Sequence, residues 1–489
     1  MSAQQHLSLQ LVPESKASGM NVRDLLMLGT LRAPAFESKV KRPPLQLCAV
    51  IDQSGSMQGP KIELVREATT FIATQLTEND SMSIVTYNND AVLAFPRQKM
   101  TPTNKERIFD CIKNIRANGG TNICLGLIEG LDTLEKDVTR DTVTSTLLLT
   151  DGQANDGPTT AEAIVGAIPE GYSGHSHSSP IGYGSPFRAQ QPMDTNKKIG
   201  APKNGGKRVI QGSVNTFGFG NDHDATLLTT LARKAEGVYY YVPGTNDIGP
   251  IFANVLGGLT TVFALKVKIR FEGLNGCTIQ KAHTRYTERK DPEGKFIELD
   301  IPDVQGQERK DVVLSIRLPE TIQDGRQPYV RMRVTYFNTL SEEEETVTQD
   351  ISIYRCENPI TEPVPAELDI ERNRIKAAEA MEEATKLGDE GKMNQAVKRI
   401  TDAINEITIS PTAKETVNQG LLEDLNRATV NFSTVEAYRY GGQQIAQTTC
   451  SSHWAQRQTS NSDRGQARYE TSARSDMRRR FDSFSSERK

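Results

Sequence analysis

No uninterrupted apolar run in this 489-residue chain approaches the ~20 residues that a membrane-spanning helix needs. The opening stretch, MSAQQHLSLQLVPES, lacks a basic region followed by an apolar core, so it does not read as a secretory signal. Six cysteines (Cys48, Cys111, Cys124, Cys277, Cys356 and Cys450) are scattered without a CxxC or any paired spacing, and the six histidines do not pair with them. Cys48 falls in an apolar run, and Cys111 and Cys124 fall on apolar helix faces. They read as small buried hydrophobes, not as disulfides or zinc ligands. The net charge of −4 is too small at this length to predict general attraction to nucleic acid or membrane. Also missing are a Gly-rich GKS/T loop, a GxGxxG after a strand and a GxSxG, the usual marks of phosphate-handling and nucleophilic enzymes. These absences predict a cytoplasmic protein that is not an enzyme.

What is present is organised around residues 45–57, LQLCAVIDQSGSM. Leu47, Cys48, Ala49, Val50 and Ile51 form a short continuous apolar run, the pattern of a strand buried on both faces of a parallel sheet. The run stops at Asp52, and the chain turns through Gly55. One carboxylate, Asp52, and two hydroxyls, Ser54 and Ser56, are thereby placed at the carboxyl end of a buried strand, where open α/β sheets bind ligands. Hard oxygen donors with few negative charges suit a small divalent cation such as Mg²⁺.

Two later segments add to this one. Asn118-Gly119-Gly120-Thr121-Asn122 precedes a helical pattern, and residues 147–152, LLLTDG, form a second apolar run ending in a carboxylate, Asp151. In order and spacing, Asp52, Ser54, Ser56, Thr121 and Asp151 resemble the metal-ion-dependent adhesion site (MIDAS) of von Willebrand factor type A (VWA) domains. Thr216-Phe217-Gly218-Phe219-Gly220, a helix over residues 224–236 and the run 237–242 resemble the last strand, helix and strand of that fold. The resemblance implies bound Mg²⁺ or Mn²⁺. It also implies a protein ligand that presents an Asp or Glu to the metal.

In chain order, residues 1–40 hold two alternating segments, 7–12 and 25–31, which are expected to join a β-rich region farther on. From 41 to 260 strands and helices alternate, which predicts an α/β doubly wound sheet. Within it, residues 171–207 are rich in Gly, Ser, Pro and Asn and read as a flexible insert. Residues 261–358 alternate apolar and polar between turn residues, as in an antiparallel β-sandwich. After a proline linker, residues 366–438 carry helical periodicity with Gly388-Asp389-Glu390-Gly391 as the turn of a helical hairpin. Residues 439–489 are Ser-, Gln- and Arg-rich and by composition mostly disordered.

Phe217 to Asp224, residues 251–259, the hairpin with its Gly-Asp turn and Ser451 to Arg457 are similar to the type A and C-terminal regions of plant RING-type ubiquitin ligases and their protist relatives. Those ligases carry an N-terminal Cys/His zinc module that nothing here supplies, so ligase activity is not expected. The expected function is partner binding through the metal. One alternative is a metal-assisted hydrolase, for which His223 is the one candidate base. The other is an adaptor acting through the helical C-terminal region in a ubiquitin-related pathway.

Overall fold

The computed structural model describes residues 5–35, 42–134, 142–167, 212–360, 362–460 and 464–486. The insert expected at 171–207 lies outside these residues. A six-stranded sheet runs Ala91–Lys99, Ser81–Tyr87, Leu45–Asp52, Val143–Thr150, Ser213–Phe219, Tyr239–Val242 in spatial order. Every neighbouring pair is parallel except the first, an antiparallel hairpin. Alternation along the central strand divides two cores. Leu47, Ala49 and Ile51 pack with the helices Pro60–Gln75, Pro102–Lys113 and Thr245–Leu259. Cys48 and Val50 face Ile123–Leu134 and Ala225–Lys234 on the other side. With both faces covered, none of the five residues from Leu47 to Ile51 reaches water, which is why the strand reads as an unbroken apolar run.

A second unit is built from two sheets enclosing one core, antiparallel throughout except where the short Ala17–Ser18 pairs parallel to Glu343–Arg355. One sheet runs Ser8–Pro13, Arg23–Arg32, Arg309–Leu318, Thr278–His283. The other runs Thr287–Lys290, Phe296–Gln305, Val262–Gly273, Gly325–Asn338, Glu343–Arg355, Ala17–Ser18. Arg23–Arg32 is an interior strand, paired on one side with Ser8–Pro13 and on the other with Arg309–Leu318. Chain before residue 36 thus belongs to the same two sheets as chain after 261, and the α/β unit is inserted between them.

The helices Ala366–Asp389, Met393–Thr408 and Thr416–Asn431 share a third core. The expectation of a mostly disordered tail is overturned. Gln443–Ala455 and Ser472–Ser486 are helices, and Tyr469, Met477 and Phe481 are buried. The tail has too few apolar groups to fold alone, but it does not need a core of its own. Met477 and Phe481 join the core of the α/β unit, where Phe481 packs edge-on against Phe71 at 4.8 Å. Three of its arginines bond side chains of other units. Arg457 donates to Glu308 Oε1 at 2.8 Å and to Asp303 Oδ1 at 2.5 Å, Arg474 donates to Gln305 Oε1 at 2.6 Å, and Arg468 bonds Glu371. Composition registers sparse apolar content but not a complementary surface supplied from elsewhere in the chain. Among the described residues no helix is long and apolar enough to cross a membrane.

Candidate functional site

The strand order reverses at the central pair, because Leu45–Asp52 has its sequence successor, Ser81–Tyr87, on one side and Val143–Thr150 on the other. The crevice of such a sheet opens at the carboxyl ends of these two strands. Asp52 ends the first and Asp151 immediately follows the second, and both are wholly buried. Asp52 Oδ1 accepts from the Ser54 amide at 2.7 Å, and its Oδ2 accepts from the Thr150 hydroxyl at 2.6 Å. The Ser54 and Ser56 hydroxyls are 3.0 Å apart, with Ser54 buried and Ser56 exposed.

Thr121 is brought in through its loop. The Gly55 amide donates to Gly119 O at 3.0 Å, and the Asn118 amide to Gln53 O at 2.5 Å, which stitches residues 118–122 to the turn after Asp52. Gly119 has φ +82°, and a side chain there would press on Asn88 and Asn89. Asn89 Oδ1 and Asn155 Oδ1 then accept from the amides of Gly120 and Thr121, at 2.9 and 2.8 Å, leaving Thr121 buried. Ser54 and Ser56 are thus in direct contact, Asp52 is joined to Ser54, and Thr121 is tied to them by backbone bonds.

Burial pushes the Asp52 carboxyl up to about 6, and the nearby Asp151 charge adds to the rise, against the hydrogen bonds from Thr150 and Ser54. Burial also holds the Tyr87 hydroxyl, which has no hydrogen-bond partner beside these acids, far above its ordinary range. Asp151 Oδ2 accepts from Lys61 Nζ at 3.2 Å, while Asp151 Oδ1 is buried with no partner. An unsatisfied buried carboxylate oxygen is costly, and two adjacent buried acids repel each other. A cation removes both costs, and the two carboxylates plus three hydroxyls are the oxygen donors a small hard one prefers. Among the described residues no group of three or more His, Cys, Asp or Glu is arranged to hold a metal, so hydroxyls have to supply part of any coordination here.

Sequence reasoning missed Thr150 and Lys61. Thr150 is the residue before Asp151 and Lys61 follows the Asp52-to-Met57 turn by one helical step, but nothing in their spacing marks them as facing the acids. His223, the candidate base, is locked in place. Its Nε2 lies 2.5 Å from the Tyr239 hydroxyl and its Nδ1 2.6 Å from Gly220 O, and burial pushes it down to about 4. It stands neutral at physiological pH with both nitrogens engaged.

Residues 46–254 match the von Willebrand factor type A domain family, and residues 415–483 match the family described as VWA / Hh protein intein-like. An uncharacterized protein of Synechocystis is 30% identical over 222 residues, covering 45% of this chain and 43% of that protein. Inter-alpha-trypsin inhibitor heavy chain H3 of Rattus norvegicus is 32% identical over 148 residues, or 29% of this chain and 17% of that protein. The chain thus spans less than half the length of these curated relatives. Among solved structures, a von Willebrand factor type A protein from Catenulispora acidiphila superposes with a TM-score of 0.62 at 15% identity, covering 86% of this chain and 90% of that one. The ArnB paralog VWA2 from Sulfolobus acidocaldarius gives 0.55 at 14% identity, covering 89% and 99%. At such identity they share the fold.

Proposed function

We propose that the type A domain formed by residues 46–254 captures a protein partner through a Mg²⁺ or Mn²⁺ ion held by Asp52, Ser54, Ser56, Thr121 and Asp151. The observation that carries this reading is Asp151 Oδ1, a buried carboxylate oxygen without a partner, beside a second buried acid at the crevice where the strand order reverses. Asp52 and Asp151 would supply the charge, and the Ser54, Ser56 and Thr121 hydroxyls would supply neutral donors. With the acids ligating directly or through water and the direct ligands largely neutral, the ion stays electrophilic and accepts a further carboxylate, so the partner is one that offers an Asp or Glu. Thr150 and the Ser54 amide fix the Asp52 carboxylate, and the asparagines of the adjoining loops hold Thr121 against the same crevice.

Mn²⁺ titration of the full chain, followed by the paramagnetic resonance of free Mn²⁺, tests it. The wild type is expected to take up one ion and gain thermal stability by mass action, and Asp151→Ala to lose both responses. Equal uptake by the two proteins overturns the assignment of the residues, and no uptake by either overturns the metal itself.

A further inference from the structure

Lys61 sits in the first turn of the helix Pro60–Gln75, a position where the helix dipole disfavours a cation. Its stem is mostly buried, with 17% of the side chain exposed, and its ammonium bridges two acids. Asp151 Oδ2 lies at 3.2 Å and is wholly buried, whereas Asp222 Oδ1 lies at 2.8 Å and belongs to a side chain that is 61% exposed. Room for the stem is made by Gly220 (φ +78°), where a Cβ would stand 2.8 Å from Lys61 Cε. The loop bearing Asp222 is held from two directions. Gln153 Nε2 donates to Asp222 O at 2.9 Å, and Gln444 Nε2, from the helix Gln443–Ala455, donates to Asn221 O at 3.0 Å. Asp222 is therefore a fixed post, and the flexible lysine is the part free to move.

We propose that Lys61 is a tethered counter-cation of this site. It neutralises Asp151 while no divalent ion is bound and withdraws onto Asp222 when one binds. The inference rests on the metal reading above and adds what that reading leaves open, namely what sets the affinity. An ammonium and a divalent ion cannot share one buried carboxylate without strong repulsion. The withdrawal is short, because the bond to Asp222 already exists and only the contact with Asp151 is given up. Each metal ion bound thus displaces one internal positive charge. The site behaves as an exchanger whose affinity is held down by its own lysine, and Asp222 is a positioning residue that acts through Lys61.

Mn²⁺ affinity of the full chain provides the test, read as before from free Mn²⁺. Lys61→Met keeps the length of the stem without the charge and is expected to bind Mn²⁺ about tenfold more tightly or better. It should also melt lower than wild type in chelator, where Asp151 Oδ2 has lost the ammonium that pairs with it. Asp222→Asn keeps the shape and removes the refuge, and is expected to bind about tenfold more weakly. In the Lys61→Met background the Asp222→Asn change should have little effect, because its route of action is gone. Equal or weaker Mn²⁺ binding by Lys61→Met overturns the proposal. Additive effects in the double variant overturn it too, since they mean that Asp222 acts on the ion by its own charge. Should Lys61→Met fail to fold in chelator, the weakening by Asp222→Asn still decides, and an unchanged affinity there overturns the exchange. Absence of Mn²⁺ uptake by the wild type removes the metal reading itself, an outcome distinct from wild-type uptake with an unaltered Lys61→Met.

Discussion

Substitution of Phe481 by alanine should release the last helix from the α/β unit. Phe481 is 7% exposed, its ring meets Phe71 edge-on at 4.8 Å and 79°, and it lies over Gly249, where a Cβ would come within 2.1 Å of Phe481 Cδ1. Removing the ring forfeits about 2 kcal/mol of transfer free energy and about 1 kcal/mol of the aromatic pair. The total of about 3 kcal/mol corresponds to roughly a hundredfold change in an opening equilibrium. Met477 and the Arg474 bond to Gln305 remain, so the effect should be local opening and not global unfolding. Hydrogen exchange on the full chain reads it directly: amides of Ser472–Ser486 should lose about two orders of magnitude in protection, while those of Gln443–Ala455 keep theirs. Gly249→Ala attacks the same seat from the other side and should reproduce the pattern, because its methyl takes the space of the ring. Wild-type amides at 472–486 exchanging without protection would refute the reasoning, as would either variant exchanging like the wild type.

Two further outcomes concern buried charge. Without metal, Asp52 titrates near 6 when folded against an ordinary 3.8, so the folded chain holds its proton longer and stability falls as pH rises from about 4 to 6. His223, pushed down to about 4 from 6.5, works oppositely, since the unfolded chain takes up the proton and stability falls as pH drops through the same window. In chelator, Asp52→Asn should therefore make the unfolding free energy fall more steeply between pH 6.5 and 4.5 than in wild type, by about 1.4 kcal/mol per pH unit at most; parallel curves would contradict the assignment. Arg457→Met should cost about 3 kcal/mol or more, because Asp303 loses its ion pair and Glu308 one of its partners, both in a buried setting. An unchanged denaturation midpoint would show that the pairs only break even.

The carboxyl ends of the two central strands were legible because their signals are local. The two apolar runs ending in Asp52 and Asp151 state both burial and chain reversal within a few residues, and the Gly119 loop needs a conformation that its own sequence announces. Thr150 and Lys61 were not legible, since an adjacent threonine and a helical lysine are ordinary until the fold turns them toward the acids. The tail failed for a related reason. Arg457, Arg468 and Arg474 look like solvated charge when read in sequence, and Phe481 looks isolated. Their partners, Glu308, Glu371, Gln305 and Gly249, stand in three other units, so no window along the chain contains both halves of these contacts.

The insertion of the α/β unit between Arg32 and Val262 has a mechanical consequence. Asp52 lies at one end of Leu45–Asp52, and the other end of that strand follows in sequence from Arg23–Arg32, an interior strand of the sandwich. A load applied by a partner at the crevice runs along the length of this strand toward its anchored end. The strand is flanked by parallel neighbours paired from Gln46 to Asp52 on one side and from Leu45 to Ile51 on the other. Tension is therefore borne in shear by two whole ladders at once and not one bond at a time, as it would be in a peeled hairpin. The return at Val262 offers a second tether into the same sheets, so a pull on the domain is divided between two strands rooted in one body.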